Sequence, residues 1–233
     1  MKSLSAGFRF IDRGFRHTLV LLPGWASDGR IFGNLDLDYN YLIPLRTALT
    51  TFEKDLANLL RKQSLSKISL LGWSLGGFLA CDFARKFPDR VNELILLGIR
   101  ERFKDSVLKD AEEALRKNRR AYLYRFYLNC FSDADHESLS WFKKNLLTDY
   151  LAGMDLKTLV RGLNYLGRCR IEPSLLAGIK KIAIFHGSQD KIAPLGEALN
   201  IKSRLPGARF VRMEKLGHIF FLNPKFKENF GRG

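Results

Sequence analysis

The sequence predicts an α/β fold: a mostly parallel central sheet flanked by helices, with a helical segment inserted between two strands. Three observations lead there. Short apolar runs alternate with stretches whose apolar residues recur at helical spacing, and strand–helix alternation places helices on both faces of a parallel sheet. Several of the apolar runs stop at glycine, as tight turns require. Residues 101–170 break the alternation, being long, charged, aromatic and helical in period with no clear strand. The 233 residues suit one domain carrying an insertion. The expected division is a core over 1–100 and 171–233 with an inserted helical lid over 101–170.

Taken in order, residues 18–24 (TLVLLPG) read as a buried strand closing in a glycine turn, and residues 39–45 (YNYLIPL) as a second. In TTFEKDLANLLRKQ, Phe52, Leu56, Leu59 and Leu60 fall on one helical face, with Thr50 or Thr51 as cap. KISLLG is a strand, 76–87 a helix and VNELILLG a strand. Beyond the insertion, KKIAIFHG is a strand, PLGEALNIKSRL a helix and ARFVRME a strand. IFFLNPKFKENF reads as one last short helix.

Composition narrows the function classes. Formal net charge is +15, with an isoelectric point near 9.9. Such a charge suits an acidic partner or surface, or simple solubility. The basic residues are spread along the chain and no nucleic-acid module accompanies them, so nucleic acid is not expected. Cys81, Cys130 and Cys169 are far apart and odd in number, without metal-ligand spacing, so neither disulfides nor a metal site is expected. The first residues, MKSLSAGFRFIDRG, hold no apolar signal region, and no apolar run approaches the roughly 20 residues of a membrane span. The expectation is a soluble cytoplasmic protein with no membrane partner.

One pentapeptide carries chemistry. Gly72-Trp73-Ser74-Leu75-Gly76 matches G-x-S-x-G between a predicted strand and helix, the setting in which that pattern forms a nucleophile elbow. The turn is tight enough that side chains two before and two after the serine would collide. A plain glycine-rich turn is the competing reading. A serine needs a base, and the base an orienting carboxylate. Of four histidines, His17 precedes the elbow, His136 lies in the insertion and His186 sits within a strand. His218, after Gly217 in the loop following the last strand, has the order and place of a base. Asp190, in GSQDKIAP, ends an earlier strand and is the expected acid, although an Asp there also suits a helix cap. Glu101 is the competing acid, while Asp82 and Asp89 are expected to face solvent. The oxyanion donors are expected to be the main-chain N–H groups of Leu75, after the nucleophile, and Trp25, in the turn after the first strand.

With these residues the chain resembles the α/β-hydrolase fold over nearly its whole length, and within it the pimeloyl-[acyl-carrier protein] methyl ester carboxylesterases of biotin biosynthesis. GWSLGG, PGW, GSQDKIAP, LGHIFFLNP and RGLNYLGRCRIEPSLL carry the resemblance. The chain departs from that pattern in having Pro23-Gly24 for the usual His-Gly, and in lacking D-x-P-G-x-G-x-S after the second strand. The resemblance implies a serine carboxylesterase that needs no cofactor and whose partner is an acidic acyl carrier protein. The carrier would dock on Arg116, Lys117, Arg119, Arg120 and Arg125, extended by Lys143 and Lys144. Trp25 and Phe126, the latter beside Arg125, would contact the substrate. An ordinary solvated helix face is the simpler reading of the arginines. A generic esterase or thioesterase, a menaquinone-pathway lyase of the same fold and a non-enzymatic binding protein are the alternatives; the last is disfavoured by an intact Ser, Asp and His in the right order.

Overall fold

Leu19 to Leu22, Leu70, Leu71 and Leu94 to Leu97 are fully buried. Unbroken apolar runs of this kind form strands covered on both faces. In the computed structural model, which describes residues 7–46 and 49–231, these runs lie at the centre of one seven-stranded sheet. Its strands are β1 (Phe8–Ile11), β2 (Thr18–Leu22), β3 (Asn40–Pro44), β4 (Ile68–Trp73), β5 (Val91–Leu97), β6 (Ile182–Gly187) and β7 (Arg209–Met213). Their spatial order is β1-β3-β2-β4-β5-β6-β7. All neighbours are parallel except β1, which runs antiparallel to β3 with Phe8 opposite Pro44 and Ile11 opposite Tyr41.

The helices fall where the apolar spacing puts them. In α1 (Phe52–Lys62), Phe52, Leu56, Leu59 and Leu60 are buried. Thr51 occupies the cap position, but its hydroxyl donates to Asp55 Oδ2 at 2.7 Å instead of capping the helix. Residues 47–48, between β3 and α1, lie outside the described residues. Helix α2 (Leu75–Lys86) follows β4 directly, and its first turn is buried.

The insertion is helical throughout: α3 (Asp105–Asn129), α4 (His136–Phe142), α5 (Thr148–Gly153) and α6 (Leu156–Leu166). Helix α4 runs into α5 through one π turn, Lys143–Leu147. Helix α3 is broken at Asn118, whose backbone leaves the helical region (φ −157°, ψ 89°). The Asn118 side-chain carbonyl accepts from the Ala121 N–H at 3.0 Å, so it caps the second half. After β6 comes α7 (Leu195–Ser203). The segment expected as one final helix is a 3-10 turn (Phe220–Leu222) and α8 (Lys225–Phe230), interrupted at Asn223-Pro224.

Two consequences position the site. Parallel strands end on one edge, so the residues after β2, β4, β5, β6 and β7 all collect there. Strand order also reverses between β2 and β4, and ligands of open α/β sheets bind outside the strand ends at such a switch point.

Candidate active site

The elbow explains its own glycines. Ser74, between β4 and α2, has φ 53° and ψ −115°, a region costly for a residue with a Cβ. A Cβ on Gly72 would lie 2.4 Å from the Gly76 carbonyl oxygen, and one on Gly76 would lie 2.1 Å from the Leu22 carbonyl oxygen of β2. The Ser74 N–H donates to the Leu97 carbonyl of β5 at 2.9 Å, which holds the turn against the sheet edge.

His218 and Asp190 meet at that edge. His218 Nδ1 lies 2.6 Å from Asp190 Oδ2. A carboxylate oxygen only accepts, so Nδ1 carries the proton and the lone pair is on Nε2. Nε2 is buried and has no hydrogen-bond partner. The other Asp190 oxygen, Oδ1, accepts from the N–H groups of Ile192 and Ala193, each at 2.8 Å. One carboxylate thus both organises the turn before α7 and meets the imidazole; the cap position of α7 is Pro194, so Asp190 is not that helix's cap. Burial opposes its charge, but the His218 ring, His186 and the Ala193 N–H together outweigh burial and hold the carboxyl below its ordinary value. Gly98, at φ +54°, lies beneath the pair: a Cβ there would meet His218 Nδ1 at 2.9 Å.

Trp25 and Leu75 both line one cavity of about 530 Å³ at the switch point, between the turn after β2, the segment after β3 and α6. Leu75 opens α2, so its N–H has no acceptor within the helix.

The family model for the alpha/beta hydrolase fold matches residues 35–224. The chain belongs to that family. It is similar to the pimeloyl-[acyl-carrier protein] methyl ester esterase of Nitrosomonas europaea, with 30% identity across 91% of this chain and 92% of that protein. It is similar also to the enzyme of the same name from Aliivibrio salmonicida, at 26% identity over 88% and 86%. Among solved structures, an esterase from Exiguobacterium antarcticum superposes with a TM-score of 0.79 over 96% of this chain and 93% of that one, at 21% identity. A thermophilic esterase from Thermogutta terrifontis gives 0.82 over 96% and 91%, at 20% identity. These structural matches speak for the fold. Family and esterase relatives together support a hydrolytic enzyme.

In this alpha/beta hydrolase the inserted helices reach both loops of the site. The turn after β2, where Ala26 takes φ 56°, is held from the insertion. Tyr127 donates from its hydroxyl to the Ala26 carbonyl at 2.6 Å, and Trp25 Nε1 to the Leu159 carbonyl at 2.9 Å. Gly162 of α6 must be glycine, because a Cβ would meet Trp25 Cδ1 at 2.5 Å. Phe126 packs edge-on against Trp25, centroids 4.9 Å apart. It supports the indole and is not itself among the residues lining the cavity.

The histidine loop is held by the corner between α3 and α4. The His218 and Ile219 N–H groups both donate to the Cys130 carbonyl, at 2.7 and 3.2 Å. These supporting groups were not legible as functional residues, because carbonyls and glycine contacts carry no side-chain motif.

The competing residues have other work. Glu101 accepts from Arg170 Nε at 2.9 Å and pairs with Arg204, tying both ends of the insertion to α7. His186 is buried beside Asp190, with Nε2 2.7 Å from the Ala193 carbonyl and 3.6 Å from Asp190 Oδ2. His17 and His136 are exposed. Asp89 faces solvent, but Asp82 is half-buried with the Tyr165 hydroxyl 3.4 Å away, and burial raises its carboxyl above the ordinary value. Cys81 and Cys130 are buried and Cys169 half-buried. Among the described residues no group of three or more His, Cys, Asp or Glu is placed to hold a metal ion, and no helix is long and apolar enough to cross a membrane.

The basic stretch is not uniform. Arg116, Lys117, Arg120 and Arg125 are exposed. Arg116 is paired with Glu112 at 2.6 Å one turn earlier. Arg119 is half-buried and donates to the Met154 carbonyl at 2.8 Å, fastening α3 to the segment before α6.

Proposed function

We propose that this protein is a serine carboxylesterase that hydrolyses the methyl ester of a pimeloyl chain carried on acyl carrier protein, releasing methanol. The observation that carries the chemistry is the His218 Nδ1–Asp190 Oδ2 contact of 2.6 Å, which leaves Nε2 as the basic atom on the sheet edge where Ser74 stands. The substrate rests on the relatives that bear that name.

In this reading His218 Nε2 takes the Ser74 hydroxyl proton as Oγ attacks the ester carbonyl. The N–H groups of Trp25 and Leu75 hold the oxyanion, preorganised by the β2 turn and the start of α2. His218 returns the proton to the methoxy oxygen, methanol leaves, and an acyl-enzyme remains. Water, deprotonated by His218, attacks that ester; the tetrahedral adduct collapses, Ser74 regains its proton and the carboxylate departs. Asp190 stabilises the imidazolium in both halves. The chain enters methyl end first, so that the carrier's thioester stays outside; the cavity lined by Trp25 and Leu75, within the roughly 300–1,000 Å³ range of small-molecule sites, adjoins Ser74 through Leu75 without Ser74 or His218 lining it. The insertion acts as a lid, and its exposed Lys117, Arg120 and Arg125, with Lys143 and Lys144, are the cations offered to the acidic carrier, Arg116 being paired with Glu112 and Arg119 tied to the Met154 carbonyl.

The test is incubation with pimeloyl-carrier protein methyl ester followed by intact mass analysis. Loss of one methylene unit from the carrier supports the reading. Loss of the whole acyl chain identifies a thioesterase, and elimination of pyruvate from a lyase substrate with no ester cleavage identifies the lyase. No turnover of any ester or thioester would point to a binding protein.

A further inference from the structure

The mechanism leaves one buried carboxylate without a task. Asp135, at the start of α4 in the insertion, is only 1% exposed. Its Oδ2 accepts from the Ser132 N–H at 2.8 Å and lies 2.9 Å from the Ser132 hydroxyl. A third contact reaches 82 residues along the chain: the Gly217 N–H donates to the same oxygen at 2.8 Å. Oδ1 is buried with no partner. A carboxylate is costly to bury, so its place at this corner needs a reason beyond packing.

Gly217 immediately precedes the base. Three consecutive N–H groups, those of Gly217, His218 and Ile219, therefore end on the α3–α4 corner, the first on Asp135 and the next two on the Cys130 carbonyl. The Ser132 hydroxyl lies 2.6 Å from the Lys215 carbonyl, extending the stitch one step back along the loop. The fit admits no side chain: a Cβ on Gly217 would lie 2.7 Å from the Cys130 carbonyl and 2.8 Å from the Ser132 nitrogen. From the core side the Trp73 indole N–H reaches the His218 carbonyl at 3.1 Å, while the loop's earlier residues are held by Ser188 and Gln189, with Lys215 N–H donating to Ser188 Oγ and Gln189 N–H to the Leu216 carbonyl.

From this we infer that Asp135 is a positioning residue: its carboxylate locks the Gly217–His218 peptide against the insertion and so fixes the imidazole in register with Asp190 and Ser74. Asp135 does not touch substrate. It acts through the backbone of the residue before the base. The inference rests on the proposed triad for its effect on rate, but not for its effect on the His218–Asp190 hydrogen bond.

The experiment compares Asp135→Ala with Asp135→Asn, which keeps an acceptor oxygen. It reads kcat and KM on a small neutral ester and, by proton NMR, the downfield resonance of the His218 Nδ1 proton. An ångström of misplacement can cost a catalytic step about 100-fold, so Asp135→Ala is expected to lower kcat by roughly 10- to 100-fold with KM little changed. Its downfield resonance should broaden or shift, and Asp135→Asn should restore both readouts to near wild type. A folded Asp135→Ala protein with wild-type kcat and an unshifted resonance overturns the inference, as does an Asp135→Asn protein as impaired as the alanine variant. Should the alanine variant not fold, Ser132→Ala removes the hydroxyl between Asp135 and Lys215; a smaller loss of kcat and a shifted resonance are expected, and wild-type values for both overturn the inference. If Ser74→Ala left ester hydrolysis intact, the proposed triad would fail, while the resonance would still decide whether Asp135 sets the His218–Asp190 geometry.

Discussion

The Trp73 indole N–H donates to the main-chain carbonyl of His218 at 3.1 Å, with the two rings 5.3 Å apart. Trp73, the residue before Ser74, thus holds the loop that carries His218. Trp73→Phe would keep an aromatic ring beside Phe221 but leave a buried carbonyl without its donor. The expected cost is about 1–3 kcal/mol of stability, read by denaturant unfolding, with a several-fold fall in kcat. Unchanged stability and kcat would show that the indole N–H is dispensable.

Ser74→Ala, His218→Ala and Asp190→Asn are each expected to abolish most short-chain ester hydrolysis without unfolding the protein. The three act as a unit, so double variants should be little worse than singles. Glu101→Gln should keep near-full activity, because Glu101 is occupied by Arg170 and Arg204. Initial rates on a chromogenic ester decide between the two acids.

Burial pushes all three thiols up, Cys169 to about 11. Thiolate is the reactive form, so the folded enzyme should resist iodoacetamide at neutral pH and keep its activity. Replacing all three cysteines costs stability where Cys81 and Cys130 are buried but should spare turnover per folded molecule. Rapid inactivation by the reagent would argue otherwise.

Lys117, Arg120 and Arg125 are the exposed cations of the stretch, outside the Arg116–Glu112 pair and the Arg119 tether. Neutralising Arg120 and Arg125 should raise KM for the carrier-linked ester and leave a small neutral ester untouched. Steering by rim charge is screened over about 8–10 Å at physiological salt, so high ionic strength should mimic the substitutions. Arg119→Ala should instead lower thermal stability and affect both substrates. Equal losses on both substrates for Arg120 and Arg125 would assign them to the fold of the insertion.

The acid limb of stability has an identifiable source. Burial, only partly offset by Asp190, lowers the folded-state pKa of His186 below its ordinary 6.5. The unfolded chain therefore binds a proton first as pH falls, and stability present above about pH 6.5 is lost below it, down through the folded value. Asp190, lowered from 3.8, adds loss in the same direction, beginning near pH 4 and running down through its own folded value. His186→Gln should flatten the fall in Tm between pH 6.5 and 5, measured by calorimetry. An unchanged slope would place the sensitivity elsewhere.

The residues that gather at the sheet edge, and the turns that carry Trp25 and Leu75, could be read from the sequence; the main-chain contacts that the inserted helices make with them could not. Ser74, Asp190 and His218 stand out because a strand, a turn and a polar residue recur at each sheet end, and the structure brings all three to one edge. Strand β1 escaped because four residues, FRFI, alternate too briefly to separate from a loop. The break at Asn118 escaped because its neighbours keep helical spacing on both sides. Thr51 caps no N–H: its backbone (φ −119°, ψ −2°) is not extended as a cap requires, and its hydroxyl is turned to Asp55 Oδ2. The grip of Cys130 on the His218 loop has no sequence signal, since any residue supplies a carbonyl.

Loop amides on a protein surface ordinarily exchange with solvent early, through small local openings. The amides of Gly217, His218 and Ile219 all end on residues 130–135, so none can open unless the corner of the inserted helices opens with it. They should exchange as one slow group, together with the Ser132 and Leu139 amides held at the same corner. Loss of order in the inserted helices would then free the His218 loop even with the sheet intact, so under the proposed triad activity would report partial unfolding before any signal from the strands.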